Sequence, residues 1–136
     1  RQIMWEHCGV IKDKNLLREG LDKIINLKNR SKIINVKIFE NNCKDLVHIF
    51  ELHASLLSAE ATIISALERN ESRGAHQRRD FIKTNPSFGF NCSVYIEENT
   101  QKMQIERLPV KKLNYELRGL IENEIRDEYI GNKLLE

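Results

Sequence analysis

The longest helical pattern in the chain extends from about residue 44 to residue 70, and no other feature constrains the fold as strongly. Apolar side chains recur there at helical spacing on two separate faces. One face carries Leu46, Phe50, His53, Leu57, Ile64 and Leu67, and the other carries Ile49, Leu52, Leu56, Ala59, Ile63 and Ala66. Such a helix is about 40 Å long at 1.5 Å per residue. Because both faces are apolar, we predict that it forms the centre of the domain, buried from two sides, with His53 as a core histidine.

Two shorter helical patterns precede the long one. The first reaches about Cys8 and is stopped by Gly9. The second begins at Asp13, whose carboxylate can accept hydrogen bonds from the free amides of a first turn. It carries an apolar stripe that includes Leu17 and Ile24. Three helical patterns in succession predict a mainly α fold, a three-helix bundle with the up-down-up order of a spectrin repeat.

A β-hairpin is predicted after the long helix. Residues 93–97 and 102–106 alternate between apolar and polar side chains, and the residues between them suit a turn. Pro109 ends the second of these strands because it lacks the amide hydrogen that a strand needs.

A last helical pattern covers about residues 111–131. We therefore divide the chain into a helical bundle, residues 1–82, and an extension of the same domain, residues 83–136. The extension holds the β-hairpin and an additional C-terminal helix.

Composition excludes several classes of protein. The 136 residues fit one domain. The 22 basic and 20 acidic residues are interleaved and give a net charge of +2, which does not favour a nucleic-acid partner. Cys8, Cys43 and Cys92 form neither a zinc pair nor a CxxC motif, so we expect reduced thiols in a cytoplasmic protein. No apolar run approaches the ~18 residues of a membrane span, and we expect no direct membrane insertion.

No set of side chains in the sequence meets the requirements of a catalytic, cofactor-binding or metal site. Ser72 and His76 are close in sequence, but a third group and an oxyanion site are missing. The four histidines lack the spacing of metal ligands. Neither a GxGxxG motif nor a Walker loop is present. We therefore assign no catalytic, cofactor or metal residue, and we expect no cofactor and no enzymatic activity in this segment by itself.

A segment of mixed charge follows the long helix. Its polar and turn-forming residues are Glu71, Ser72, Arg73, Gly74, His76, Arg78 and Asp80. Glycine allows a tight turn or a positive φ, and arginine side chains can be held by carboxylates and backbone carbonyls. These residues suit two roles, a terminator of the helix and a polar interface to another domain, and their chemistry favours the two roles about equally.

The same segment resembles a known family. The run Glu71-Ser72-Arg73-Gly74-Ala75-His76, followed by Arg78, Asp80 and Phe81, is similar to the motif that closes the long helix in the C-terminal domain of succinate dehydrogenase and fumarate reductase flavoproteins. L-aspartate oxidase carries a similar motif.

A second match lies at the N-terminus. Met4-Trp5, with Gly9-Val10-Ile11 after it, resembles the first helix of that C-terminal domain and the turn that follows. The resemblance covers about residues 1–82. Gln77, Arg79 and Ile82 depart from the family pattern and leave the subfamily open.

The resemblance implies that the chain is the helical C-terminal domain of a longer flavoprotein. Members of the family bind FAD in a dinucleotide-binding domain, close a capping domain over a dicarboxylate and transfer hydride between substrate and flavin. The residues that do this lie upstream of the matched region, so FAD belongs to the parent protein and no catalytic residue carries over. The sequence begins inside a helical pattern and without methionine, which agrees with this expectation.

The resemblance also implies partners. Arg73, His76, Arg78 and Asp80 are expected to seat the domain against the FAD-binding and capping domains, and an iron–sulfur subunit is a further expected partner. The parent complex would then be cytoplasmic and associated with a membrane through partner subunits. Two alternatives remain: the same domain of L-aspartate oxidase, an enzyme of NAD biosynthesis, and a stand-alone helical interaction module.

Overall fold

A computed structural model describes residues 1–35 and 43–111 of the protein. Within these ranges the chain forms three α-helices, a short 3-10 helix and two small two-stranded sheets. The bounds are α1 Gln2–Cys8, β1 Ile11–Lys12, α2 Lys14–Ser31, α3 Lys44–Glu68, β2 Gln77–Arg78, the 3-10 helix Pro86–Phe88, β3 Phe90–Ile96 and β4 Met103–Pro109. The three predicted helices and the hairpin are confirmed, and the predicted C-terminal helix lies outside the described residues.

The start of helix α2 is fixed by Asp13, the residue before it, whose side chain caps free backbone amides of the first turn. The Asp13 carboxylate accepts hydrogen bonds from the backbone amides of Asn15, at 3.0 Å, and Leu16, at 2.9 Å. An N-terminal cap of this kind stabilises a helix by about 1 kcal/mol. The predicted start of the second helix is thus confirmed.

The hydrophobic core lies between α2 and α3. Its buried side chains are Leu17, Ile24, Leu56, Ile63 and Ala66. Partly buried residues of α1, among them Ile3 and Met4, pack against this cluster. The seven residues of α1 cover one side of the core, while α2 and α3 pack along each other.

Within residues 1–35 and 43–111, helix α3 is buried on one side only, which corrects the prediction of burial from two sides. Its buried residues, Leu56, Glu60, Ile63 and Ala66, all face α2 and α1. On other faces, 64% of Phe50 and 52% of Val47 are exposed. His53, predicted as a core histidine, is exposed as well. The sequence pattern reports the apolar faces correctly, but the described part of the chain supplies a cover for only one of them.

An ion pair crosses the interface between α2 and α3. The Lys28 ammonium donates to the Glu60 carboxylate at 2.7 Å, and Glu60 is buried. Glu60 also interrupts the apolar surface of α3. By length and composition alone, α3 is the one helix in the described ranges that could cross a membrane, but the core helix of a globular protein passes the same test.

The hairpin of β3 and β4 is attached to the C-terminal end of α3. The strands pair antiparallel, from Phe90 opposite Pro109 to Ile96 opposite Met103. Arg107 of β4 forms an ion pair with Glu68 of α3, at 2.5 Å. The same guanidinium lies over the rings of Phe88 and Phe90, as cations do on aromatic faces. The base of the hairpin is therefore fixed to the helix.

Helices α1 and α2 come into close contact at Gly20. A Cβ atom on Gly20 would lie 2.6 Å from the Cβ of His7, which is itself buried. The His7 ring is held from α2 as well, because the Lys23 ammonium donates to its Nε2 at 2.9 Å. A glycine at this position therefore allows the two helices to approach.

The close contact predicts the effect of Gly20→Ala. Overpacking costs about 1–3 kcal/mol, and the better helix propensity of alanine returns about 1 kcal/mol. We therefore expect a net loss of up to about 2 kcal/mol in the free energy of unfolding by urea. Gly89→Ala is the control, because the nearest atom to its added Cβ is 3.8 Å away. Equal unfolding midpoints for the two variants would contradict the close packing of α1 on α2.

Candidate functional site

The polar segment begins with a tight turn directly after α3. The backbone amide of Arg73 donates to the carbonyl of His76 at 2.9 Å, and the amide of His76 donates back to Arg73 at 3.0 Å. Gly74 lies inside this turn with φ of +55°, a value that side chains disfavour. No atom lies within 4 Å of a Cβ placed on it, so the backbone angle is the reason for a glycine here.

Glu71 is completely buried and holds two arginines. Its carboxylate accepts hydrogen bonds from Arg69 at 2.5 Å, from Arg73 at 3.0 and 3.1 Å, and from the backbone amide of Asn85 at 2.8 Å. Burial raises the pKa of Glu71, and the bonds from Arg73, Asn85 and Arg69 lower it by more, so the net pKa lies below the ordinary value. Glu71 is therefore a fixed anion that connects the helix end to the loop around residue 85.

Arg78 is the largest fully buried side chain among the described residues. Its guanidinium makes two parallel bonds to the Asp80 carboxylate, both at 2.7 Å. It also donates to two carbonyls at the end of α3, those of Ala66 at 2.8 Å and Arg69 at 3.3 Å. Carbonyls in the last turn of a helix lack partners within the helix, and a cation there is favoured by the helix dipole. Arg78 thus terminates α3 with its side chain.

Asp80 extends the connection to α2. Its second carboxylate oxygen also accepts the backbone amide of Lys14, at 3.1 Å, at the first turn of α2. The bonds from Arg78 hold the pKa of Asp80 down, at about 2. One ion pair therefore joins the end of α3 to the start of α2.

His76 caps the same helix end. Its Nε2 lies 3.0 Å from the carbonyl of Arg69, which makes this nitrogen the hydrogen-bond donor. Burial lowers the pKa of His76, and the charges of Lys12, Arg78 and Arg69 lower it further. The hydrogen bond to the carbonyl of Arg69 raises the pKa by less, so the net pKa lies below the ordinary value. The neutral ring is therefore favoured.

The hydroxyl of Ser72 supports the turn from inside. It accepts the backbone amide of Arg78 at 2.9 Å and donates to the carbonyl of Phe81 at 2.8 Å. The ring of His76 bonds elsewhere, to Arg69, so the two residues do not form a nucleophile–base pair. Ser72 acts in the architecture of the segment.

A short parallel pairing attaches the segment to the loop after α1. Ile11 pairs with Gln77, and Lys12 pairs with Arg78. The backbone amide of Gln77 donates a hydrogen bond to the carbonyl of Val10, and that of Arg79 donates to the carbonyl of Lys12. Sequence reasoning did not single out Lys12 or Arg69. Two residues per strand are too few to give an alternating pattern, and one arginine at a helix end carries no distinctive signal.

The predicted motif residues of the polar segment do lie together, and they bond mainly to one another and to the ends of α2 and α3. The geometry supports the first of the two roles suggested by the sequence, the terminator of the helix. The interdomain role stays a prediction. Of the N-terminal motif, Met4 packs on the core, Trp5 is 81% exposed, and Gly9 brings the chain against the backbone of Trp5.

Comparison with known proteins assigns the family. Residues 1–122 match the family model of the fumarate reductase flavoprotein C-terminal region. The chain is 32% identical over 112 residues to the fumarate reductase flavoprotein subunit of Haemophilus influenzae, covering 80% of this chain and 18% of that protein. It is 36% identical over 83 residues to the L-aspartate oxidase of Pyrococcus horikoshii, covering 60% of this chain and 13% of that protein.

A solved structure agrees with these sequence matches. A mutant of the Escherichia coli quinol fumarate reductase superposes with a TM-score of 0.73 and 28% identity, over 83% of this chain and 20% of that one. The protein belongs to the family of succinate dehydrogenase and fumarate reductase flavoproteins, and it corresponds to their C-terminal domain. The chain spans about a fifth of the length of the proteins that it matches.

The caps on α3 predict a large effect of Arg78→Met. The change leaves Asp80 without its cation and two helix carbonyls without donors, and breaking a buried ion pair costs about 3–5 kcal/mol. Arg79→Met is the matched control. Arg79 is the next residue along the chain and is exposed, and substitutions at the surface change stability by no more than about 0.5 kcal/mol. Urea unfolding of the 136-residue chain measures both. Similar stabilities of the two variants would refute the capping role.

The low pKa of Asp80 predicts how the stability of the domain depends on pH. An unfolded aspartate has a pKa of about 3.9, above the folded value of about 2. The stabilisation from the ionised carboxylate is therefore fully present above about pH 4 and is lost as pH falls towards 2. The difference in stability between the natural chain and Asp80→Asn should therefore shrink as pH falls from about 4 to about 2. The midpoints of thermal unfolding of the two proteins measure this difference. Asp22→Asn, on the exposed part of α2, is the control, and a pH-independent difference for Asp80→Asn would contradict the ion pair.

Proposed function

We propose that this domain supports the FAD-binding and capping domains of an FAD-dependent oxidoreductase that interconverts succinate and fumarate. The observation that carries the proposal is the match of residues 1–122 to the C-terminal region of fumarate reductase flavoproteins. The internal ion pairs agree with a supporting role. Arg78, Asp80, Glu71 and Arg73 are all engaged with other groups of the domain, which makes this part of it rigid.

Exposed apolar side chains support docking to further polypeptide. Trp5, which belongs to the N-terminal motif, and Phe50 of α3 are both more than half exposed. Large exposed apolar patches mark interaction sites in folded proteins. We propose that the FAD-binding domain covers part of this surface and that Arg73, partly exposed beside Glu71, lies near the contact.

Partner subunits follow from the same assignment. We propose that the whole flavoprotein binds FAD, assembles with an iron–sulfur subunit and reaches a membrane from the cytoplasmic side through other subunits. This domain itself does not insert into the membrane, since Glu60 and Lys28 form an ion pair inside the surface that α3 shares with α2.

The finer architecture is part of the proposal. The connection between α1 and α2 has five residues, 9–13, and short connections join antiparallel neighbours. This favours the up-down-up order. The contacts from Arg107 to Glu68 and to the ring of Phe90 favour a single domain in which residues 83–136 extend the helical part, residues 1–82.

L-aspartate oxidase is the second candidate. Its similarity covers 60% of this chain, whereas that of the Haemophilus influenzae fumarate reductase subunit covers 80%. The longer match favours succinate and fumarate as substrates. The natural polypeptide that contains this chain should therefore reduce fumarate, and faster turnover of L-aspartate in the same assay would favour the second candidate.

A chimeric protein tests the supporting role. In the Haemophilus influenzae subunit, residues 1–136 of this protein replace the region that they match, and a truncated subunit without that region is the control. Because the host supplies the flavin-binding and catalytic residues, we expect the chimera to keep stoichiometric FAD and fumarate reduction, both lost by the truncated control. Absorbance of bound flavin and dye-linked turnover measure the two properties. A chimera that loses FAD as readily as the control would contradict the role and favour a stand-alone module.

A further inference from the structure

Two clefts follow each other along one face of α3. Leu52, Ser55, Leu56 and Ala59 line the first, and Thr62, Ser65, Ala66 and Arg69 line the second. These positions recur every three or four residues, so they share one side of the helix. The clefts have volumes of about 930 and 690 Å³. From Leu52 to Arg69 they form one groove about 26 Å long at 1.5 Å per residue.

The two ends of this groove differ in chemistry. The first cleft is mainly apolar and includes Met4 and the exposed ring of Trp5. The second includes Arg69 and His76, with hydroxyl and amide groups around them. Among the described residues that line either cleft there is no aspartate or glutamate.

Lys12 lies at the junction, because it lines both clefts. Only 9% of the residue is exposed. Its ammonium donates to the carbonyl of Val10 at 3.1 Å, and no carboxylate in the described ranges lies within 4.0 Å of it. The other lysine that is mostly withdrawn from water, Lys28, has the Glu60 carboxylate as its partner. The ammonium is partly buried. A charge that is partly withdrawn from water and lacks a counter-ion carries a desolvation cost, and a carboxylate that pairs with it offsets that cost.

We propose that this groove seats a polypeptide segment of the flavin-binding part of the same protein, in which an acidic side chain pairs with Lys12 and apolar residues cover Trp5. Charge complementarity identifies the occupant. The groove offers a partly buried cation without an acidic neighbour among the described residues, and an apolar surface is continuous with it along α3. The inference rests on the proposed function, since it names the surface and the chemistry of that docking.

The first test uses the 136-residue chain alone. Lys12→Met keeps the apolar stem and removes the uncompensated charge, so the midpoint of thermal unfolding should rise by about 2–5 °C. Lys28→Met is the matched control, because it leaves the buried Glu60 without its cation and should lower the midpoint. A lower midpoint for Lys12→Met would show that Lys12 serves the fold of this chain and would overturn the proposal.

The second test places the same substitution in the Haemophilus influenzae chimera. Lys12→Met should release FAD several-fold faster than the unsubstituted chimera, and Lys12→Glu faster still because it sets two carboxylates against each other. If the unsubstituted chimera retains FAD and both variants retain it equally well, the groove assignment fails while the supporting role stands. If the unsubstituted chimera itself loses FAD, the supporting role fails.

The occupant is tested separately. Hydroxyl-radical oxidation of Trp5 should be several-fold slower in the chimera than in the isolated chain, and equal rates would overturn the docking. Self-association of the isolated chain that Lys12→Met abolishes, measured by sedimentation, would assign the groove to a second copy. A rise in unfolding midpoint caused by succinate or phosphate in the natural chain, and absent from Lys12→Met, would assign it to a free anion. Either result would overturn the proposal.

Discussion

The ion pair between Arg78 and Asp80 connects the parts of the domain that the chain places far apart. One guanidinium binds the last carbonyls of α3, and its carboxylate partner binds the first turn of α2. Arg78 also belongs to strand β2, which pairs with β1 in the connection between α1 and α2. The pair therefore links the end of α3, the start of α2 and that connection through the same few atoms. The apolar core packs along the helices, whereas the pair binds the last turn of α3 and the first turn of α2.

A polar motif can therefore bond mainly within its own domain and still matter for assembly. The Glu71 carboxylate accepts hydrogen bonds from Arg69, Arg73 and the backbone amide of Asn85. It is therefore paired inside the domain and does not face a neighbour. What faces outwards is the apolar surface of α3 and the groove beside Lys12. In this domain the polar network provides rigidity, and the surface next to it provides the contact that we propose for the rest of the flavoprotein.

The sequence predicts the helices well because each carries a local signal. Asp13 marks the start of α2, and apolar spacing marks α3 within two residues of its observed end. The motif residues from Glu71 to Asp80 are also recognisable in sequence. The side-chain pairing inside the motif is not, since it depends on three-dimensional proximity of groups such as Lys14 and Asp80, which are 66 residues apart. The prediction that α3 is buried from two sides was wrong for a related reason. The periodicity of apolar residues shows that a helix face is apolar, but it does not show what covers that face.

Among the described residues, the side-chain contacts that attach the hairpin to the rest of the domain lie at its base. Arg107 and the rings of Phe88 and Phe90 fasten its base, whereas the bonds at its tip, among Glu97, Thr100 and Gln101, stay within the turn. Added or deleted residues at that tip leave every helix cap and every core contact in place, and longer loops cost little in closure entropy. The length of the hairpin can therefore change at its tip while the helical part of the domain keeps its shape.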